Sequence, residues 1–259
     1  MVEKGFDIES LLHFKPPRYL CQKCKGIFPE VFSDYKLNIA ECPICRVKYL
    51  PTTDYSAFTF GKYLDNSGFG LKFDNLIEHC RKYGTILKKL KDHVEKNSFF
   101  DDYPPMRALL DTFLNAQKFI HFSSYGISLV LYGALKAISQ KVNIRGIISN
   151  VKSDQLDELT KHKDEAPQID LRIFQRGEEL KDRLGIPHQK FIIIDGLIAF
   201  KGSANLTLDG WRKFEVGREI IEFVTDVNEA IELNNRYFSP IWAEASDVKE
   251  IQMLDDVPF

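Results

Sequence analysis

From about residue 105 onward, hydrophobic positions alternate between helical spacing and short apolar runs. The spacing predicts helices over 106–117, 128–139 and 227–237 and a more polar helix over 153–162. The apolar runs predict strands over 118–123, 142–148, 169–174, 191–194, 197–200 and 216–224. The run at 191–194 is continuous and β-branched, which is typical of a strand buried on both faces. The alternation predicts an α/β domain over residues 105–259, with a sheet between helices on both faces.

The preceding residues follow a different pattern. Residues 1–55 combine prolines, scattered aromatics and two cysteine pairs without a long helical period, which predicts a small loop-rich module. Residues 56–104 begin with a glycine-rich stretch and turn helical from about residue 74, so we interpret them as a linker and a basic helix. The basic residues of that helix are Arg81, Lys82, Lys88, Lys89, Lys91 and Lys96. They predict either a phosphate-binding face or an ordinary solvated one.

Two residues that could bind an anion or act in catalysis lie at the start of the strand at 191–194. His188 and Lys190 are two apart in the chain, so their side chains point to the same side of an extended segment. An imidazole and an ammonium on one side suit an anion. After the strand, Asp195-Gly196 is a dipeptide typical of a hairpin turn.

The return strand leads to a second set of polar groups. Gly202 allows close backbone approach, Ser203 supplies a hydroxyl and Asn205 supplies an amide. A short helical turn is expected after Asn205, and backbone N–H groups at such a start favour phosphate oxygens. The pattern predicts phosphate binding at Lys190, Gly202, Ser203 and Asn205.

These groups together predict hydrolysis of a phosphodiester. A neutral His188 imidazole can attack phosphorus and divide the reaction into two easier displacements. Lys190 and Asn205, assisted by Ser203, would stabilise the charge on the phosphate oxygens. A carboxylate should orient the imidazole, and Glu215 is the candidate because it follows the motif at the start of a predicted strand. Asp195 either joins this catalytic set, holds the hairpin or pairs with Lys190.

The segment from His188 to Asn205 reads His-x-Lys-x4-Asp-x6-Gly-Ser-x-Asn, and it resembles the phospholipase D superfamily motif. The resemblance extends through Phe214-Glu215 and covers residues 105–240. It implies a phospholipase D-like mixed sheet, an enzyme of the phosphodiesterase or endonuclease kind, no catalytic metal, and His188 as the nucleophile.

The chain contains one copy of this motif. Members of the superfamily combine two motifs in one active site, where one histidine attacks and the other protonates the leaving oxygen. The resemblance therefore implies a homodimer, in which a two-fold axis brings the two His188 side chains together. A different partner carrying its own motif is the alternative.

Two cysteine pairs lie in the N-terminal module. Cys21 and Cys24 form one C-x2-C pair, and Cys42 and Cys45 form the other. This spacing predicts a zinc-ribbon-like site with one structural Zn2+ per chain, because four thiolates close a tetrahedral site. Disulfides or chance buried cysteines are the alternatives. The module either contacts nucleic acid through its basic and aromatic residues or has a purely structural or protein-binding role.

Composition narrows the class of protein further. The net charge is -2 and hydrophobic residues make up 44% of the chain. No apolar run approaches the ~20 residues needed to span a bilayer, and the N-terminus lacks the apolar core of an export signal. We therefore expect a cytoplasmic protein that does not bind membranes. The favoured hypothesis is a nuclease acting on DNA more than RNA, in restriction, defence or DNA processing. The alternatives are a phospholipid-hydrolysing phospholipase D and a nucleic-acid- or protein-binding module with a vestigial site.

Overall fold

The computed structural model describes residues 19–21, 23–28, 32–34, 39–42, 44–46, 48–49, 81–90, 92, 104–149, 159, 166, 168–173 and 187–247. Its helices are α1 (81–90), α2 (Pro105–Asn115), α3 (Leu129–Ile138), α4 (Leu208–Glu215), α5 (Val227–Leu233), a π-helix (Asn234–Phe238) and α6 (Ser239–Glu244). Its strands are β1 (Tyr19–Leu20), β2 (Ile27–Phe28), β3 (Phe32–Asp34), β4 (Ile39–Glu41), β5 (Lys48–Tyr49), β6 (Phe119–Ser124), β7 (Asn143–Ile148), β8 (Ile169–Ile173), β9 (Lys190–Ile194), β10 (Ile198–Gly202), β11 (Ile221–Val224) and β12 (Ser246–Asp247).

The described strands from β6 onward form one mixed sheet in the order β11-β10-β9-β6-β7-β8-β12. The strands β6, β7 and β8 are parallel, whereas β9 runs antiparallel to β6 and pairs with β10 in a hairpin. All five residues of β9 are buried, which agrees with its apolar sequence. The predicted mixed α/β sheet is confirmed.

Helices cover both faces of this sheet. On one face Trp211 of α4 packs edge-on against Phe200 of β10, with ring centroids 5.7 Å apart. On the other face Phe238 of the π-helix stacks on His121 of β6, at 4.5 Å and 9° between the planes. Fully or almost fully buried aromatic side chains thus anchor both layers.

Most predicted elements lie within a residue or two of the observed ones. The strand predicted over 216–224 is wrong in its first half, because α4 extends to Glu215 and residues 216–220 form turns before β11. Gly217 adopts a positive φ of 68° there, which ends the helix. Leu159 is helical as predicted, but the rest of 153–162 and the onset of the basic helix at 74–80 lie outside the described residues.

The N-terminal module contains a β1–β2 hairpin and a three-stranded β3-β4-β5 sheet. It contacts the main domain directly, since Ile27 is fully buried within the main hydrophobic core. Asn235 of the π-helix pairs with the backbone of Ile27 through its side chain. The cysteine module is thus packed against one face of the large sheet.

Candidate active site

Four of the predicted motif residues gather where β6 and β10 end and β9 begins, namely His188, Lys190, Ser203 and Asn205. Because β9 is antiparallel to both neighbours, its start lies beside their ends. Gly202 is opposite Lys190, and Ser123 is opposite Phe191. One edge of the sheet therefore carries the polar ends of three adjacent strands.

His188 and Lys190 are in direct contact at this edge. The Lys190 ammonium donates to His188 Nδ1 at 2.6 Å and to the His188 carbonyl oxygen at 2.7 Å. The His188 side chain is exposed, whereas Lys190 is buried. Burial lowers the pKa of Lys190, and the nearby Glu219 carboxylate opposes that effect. The ammonium has three donors, so one remains for a bound anion.

Ser203 is held between the backbone and an acidic side chain. Its Oγ accepts from the Ile220 N–H at 3.0 Å and donates to Glu219 Oε2. The neighbouring Gly202 is required by space, because a Cβ there would lie 1.9 Å from the Ile220 carbonyl oxygen. The turn before β11 is therefore pressed directly against the end of β10.

Asn205 follows in a loop pinned to the β6–α3 connection. The Leu206 N–H donates to Ser124 Oγ at 2.8 Å, and the Ser128 N–H donates to the Leu206 carbonyl oxygen at 3.1 Å. Asn205 Oδ1 is buried and makes no hydrogen bond with the described residues. An amide oxygen accepts hydrogen bonds, so only the Nδ2 group of Asn205 can donate to a phosphate oxygen.

Two further residues of this site lie outside the motif and were not predicted from the sequence. Glu219 meets Ser203 and acts on Lys190. Tyr125, just past β6, lies against His188 with ring centroids 5.1 Å apart, and the Lys190 ammonium is 6.0 Å from its centroid. Both come from segments that reach the site through strand pairing.

Glu215 is placed differently from its prediction. It is the last residue of α4, and within the described part of the chain its carboxylate makes no hydrogen bond or ion pair. The structure brings Glu219, four residues later, to Ser203 instead.

Asp195 lies at the other end of β9, roughly 16 Å from Lys190 for five extended residues. Its carboxylate is fully buried and accepts from the backbone N–H groups of Gln117, Lys118 and Phe119, the shortest contact being 2.7 Å. Tyr83 Oη of α1 donates to it at 2.7 Å. Asp195 and Gly196 both have positive φ, 56° and 67°, as the tight hairpin turn requires. This geometry agrees with the hairpin-holding alternative and not with a pair to Lys190.

The four cysteine sulfurs lie within 4.8 Å of one another and could hold a metal ion. The Cys21–Cys45 and Cys24–Cys42 sulfur distances are 3.8 and 3.6 Å. A tetrahedral site with bonds of about 2.3 Å has edges of about 3.8 Å, so this spacing fits a metal bound by four thiolates.

The two cysteine turns have the same backbone form. Lys25 and Arg46 each follow the second cysteine of a pair, and they have φ values of 59° and 58°. Each N–H bonds the carbonyl of the first cysteine, at 2.8 Å for Lys25 and 2.9 Å for Arg46. Two equivalent turns presenting four thiols are the arrangement expected of a structural metal site.

Comparison with known proteins identifies the larger domain. A family model described as "Cardiolipin synthase, PLD-like domain" matches residues 109–242, just over half of the chain. The chain belongs to the phospholipase D-like family. The phospholipase D-like domain includes His188, Lys190, Ser203, Asn205 and Glu219, and its family makes the protein a phosphodiesterase.

Solved structures similar to this chain include NucT from Helicobacter pylori, at 18% identity, a TM-score of 0.44 and coverage of 55% of this chain and 90% of that one. Nuc from Salmonella typhimurium, a phospholipase D family member, is 20% identical with a TM-score of 0.42, and the match covers 54% of this chain and 87% of that one. Phosphatidylserine synthase from Haemophilus influenzae is 14% identical with a TM-score of 0.33, and the match covers 58% of this chain and 42% of that one. No curated protein sequence matches the chain. In the described part of the chain, no helix has the length and apolar character to cross a membrane.

Proposed function

We propose that this protein is a nuclease that cleaves DNA or RNA through a covalent phosphohistidine on His188, without a catalytic metal. The observation that carries the proposal is the grouping of an exposed imidazole with Lys190 and Ser203 at one sheet edge, with the side-chain amide of Asn205 in the adjoining loop. These groups combine a nucleophile with donors for phosphate oxygens.

The first step exchanges a contact within the site. A phosphate oxygen accepts a hydrogen bond from the Lys190 ammonium in place of His188 Nδ1. Nδ1 can then carry the proton of the neutral imidazole. His188 Nε2 then attacks phosphorus, and the bond from phosphorus to the leaving oxygen breaks. Water attacks the phosphohistidine in the second step and releases the free phosphate ester and His188.

The leaving oxygen needs a proton, and we propose that the partner's His188 supplies it in a homodimer. Water returns that proton to the partner's imidazole in the second step. The exposed apolar side chains of Val216 and Ile220, 57% and 73% exposed, flank Glu219 beside the site and offer contact area for a second copy. A two-fold interface there would present two identical sites to each other.

We assign the orienting carboxylate to Glu219 in place of Glu215. Glu219 bonds Ser203 and lies close enough to Lys190 to raise its pKa. When Lys190 turns to the substrate, the Nδ1–H of His188 needs an acceptor. A carboxylate in that position favours the charged imidazole that develops during attack.

Exposed cations support a nucleic acid substrate. Arg81, Lys82, Lys88 and Lys89 lie on the exposed face of α1, and Lys23 and Arg46 are exposed at the two cysteine turns. Rows of basic side chains suit a phosphate backbone. The exposed Val216 and Ile220 are the observation that favours the alternative, a phospholipid substrate, because apolar groups at the rim of a site can contact acyl chains.

We further propose that the four cysteines bind zinc with a structural role. Four thiolates leave no open coordination position, so bound zinc would cross-link the two turns and supply no catalytic water. Lys25 and Ile27 continue directly from the first turn to the contact with the π-helix.

The test is a cleavage assay in the presence of EDTA. Folded wild-type protein is incubated with single-stranded DNA, duplex DNA, RNA and phospholipid vesicles, with circular dichroism confirming that the fold persists. We expect cleavage of a nucleic acid and no turnover by His188→Ala. Lys213→Ala, an exposed change on α4, serves as the matched control.

Each other outcome has a defined meaning. Turnover of vesicles alone would replace the nuclease by a phospholipase. Activity lost in EDTA while the fold persists would refute the metal-free mechanism. Cleavage by His188→Ala at the wild-type rate would refute the nucleophile, and a monomer active at all concentrations would refute the shared site.

A further inference from the structure

Tyr125 forms an aromatic wall beside the reacting imidazole. Its ring lies 5.1 Å from the His188 ring at 48°, and the Lys190 ammonium lies 6.0 Å from its centroid. The Tyr125 side chain is half-buried, whereas His188 is exposed. No residue of the motif supplies this contact.

The backbone on both sides of Tyr125 is fixed. Ser124 Oγ donates to the Gly126 carbonyl oxygen at 2.6 Å and accepts from the Leu206 N–H at 2.8 Å. Ile127 forms a parallel bridge with Leu206. The segment carrying Tyr125 is thereby tied to the loop that carries Asn205, so the wall and the phosphate-binding loop are one unit.

We propose that Tyr125 is a positioning residue that holds the His188 imidazole in the orientation needed for attack on phosphorus. An exposed histidine can rotate about two side-chain bonds, and attack requires alignment with the bond that breaks. Lys190 restrains the ring at Nδ1 in the resting site, but the mechanism takes that contact away when phosphate binds. Tyr125 restrains the ring by a tilted aromatic contact that does not use Nδ1, so phosphate need not displace it.

The same position gives the wall a second effect. Attack converts a neutral imidazole into a positively charged phosphoimidazole, and a cation near an aromatic ring is stabilised by the ring quadrupole. The phenol hydroxyl takes no part in either effect. Phenylalanine should therefore replace Tyr125 without loss, whereas an aliphatic residue should not.

The inference rests on the proposed role of His188 but not on the substrate being a nucleic acid. The test therefore uses bis(p-nitrophenyl) phosphate together with a DNA oligonucleotide and the same oligonucleotide carrying an abasic site. Tyr125→Leu and Tyr125→Phe are compared with wild type, and Leu114→Ala, at an exposed position of α2, is the surface control. The orientation of His188 without substrate is followed by NMR of its imidazole.

We expect Tyr125→Leu to lower kcat about 2- to 12-fold, the rate equivalent of one aromatic pair, with KM unchanged on all three substrates. Tyr125→Phe should match wild type, and the NMR signals of His188 should show rotational averaging in Tyr125→Leu only. A raised KM at unchanged kcat, or a penalty that disappears on the abasic substrate, would show that Tyr125 binds a base and would overturn the inference.

The nuclease proposal and this inference fail separately. If wild type hydrolyses the small diester but no nucleic acid, the substrate assignment is wrong while the comparison of Tyr125 variants still stands. If no substrate is turned over, an imidazole equally ordered in wild type and Tyr125→Leu would overturn the positioning role on its own.

Discussion

Ile27 and Asn235 exchange two hydrogen bonds although 208 residues separate them in sequence. The Ile27 N–H donates to Asn235 Oδ1 at 2.6 Å, and Asn235 Nδ2 donates to the Ile27 carbonyl oxygen. The preceding Asn234 donates to the Lys25 carbonyl oxygen at 2.9 Å and contacts His121 Nδ1 of β6 through its Oδ1 at 2.8 Å. The cysteine turn, the π-helix and the central sheet are thereby joined in one continuous hydrogen-bonded path.

Replacing Asn235 by alanine should lower the free energy of unfolding of the protein. The change leaves the backbone donor and acceptor of the buried Ile27 without partners, which costs about 1–3 kcal/mol for each buried group that finds no water. Chemical denaturation should show the loss in the free energy of unfolding. Asn228→Ala, an exposed asparagine of α5, is the matched control and should leave stability near wild type. Equal stability of both variants would show that the module is not attached through Asn235.

Removing the metal should weaken the packing of the cysteine module and expose side chains on the face of the sheet that it covers. Trp242 lies on that face, where the Arg172 guanidinium is 4.3 Å from its ring and Phe238 is stacked at 5.4 Å. Because the chain has two tryptophans, Trp211→Phe leaves Trp242 as the sole reporter. We expect about one zinc per chain, and a red-shifted Trp242 emission after chelation or in Cys45→Ser.

The complementary variant, Trp242→Phe, reports on the opposite face through Trp211. Its emission should change less when the metal is removed, because Trp211 packs against Phe200 away from the module. A purified protein without zinc and with freely reactive cysteines would contradict the metal site itself.

Sequence reasoning found the elements and the motif because both depend on neighbouring residues. The apolar run of β9 and the turn at Asp195-Gly196 are local signals, and the structure places them as predicted. The error at 216–220 is also local in origin. The apolar Val216 and Ile220 suggested a strand, yet both are exposed in the turns that follow α4.

The missed site residues depend on contacts between distant segments. Glu219 reaches Ser203 because β11 pairs with β10 and brings Ile221 opposite Gly202. Extending the predicted hairpin by one strand would have indicated a carboxylate just before β11. Tyr125 reaches His188 because β9 inserts beside β6, and a single sequence carries no signal for that order of strands.

His121 should make the protein sensitive to acid. Burial lowers its pKa from 6.5 to about 3, although the hydrogen bond to Asn234 partly opposes the shift. As the pH falls below 6.5, the unfolded chain binds a proton on this residue and the folded protein does not. Stability should therefore fall from about pH 6.5 toward about pH 3, by up to about 1.4 kcal/mol per pH unit from this residue.

His121→Gln should remove that part of the acid dependence while retaining a donor for Asn234. Urea denaturation at a series of pH values measures how steeply the free energy of unfolding changes with pH. A slope unchanged in His121→Gln would show that His121 is not the group responsible.

Glu219 and Glu215 can be separated by paired glutamine variants. Glu219→Gln should lower kcat by about 10²-fold or more if the carboxylate supports the His188 imidazole, whereas Glu215→Gln should remain close to wild type. Glu219 also raises the pKa of Lys190 against the effect of burial. Losing its charge should therefore move the alkaline limb of kcat/KM to lower pH. The reverse order of the two variants would restore Glu215 to the site.

Asp195 should prove structural although it belongs to the motif. Asp195→Asn removes the charge that accepts from three backbone N–H groups and from Tyr83 Oη, and hydrogen bonds to charged groups are worth about 1.5–3 kcal/mol each. The free energy of unfolding should fall by several kcal/mol, while kcat of the folded fraction stays near wild type at low temperature. Tyr83→Phe should show a smaller loss of the same kind, and Lys190→Ala should show the opposite behaviour, with stability retained and turnover lost. A fully stable Asp195→Asn without activity would instead place Asp195 in the chemistry, some distance from the imidazole it was expected to serve.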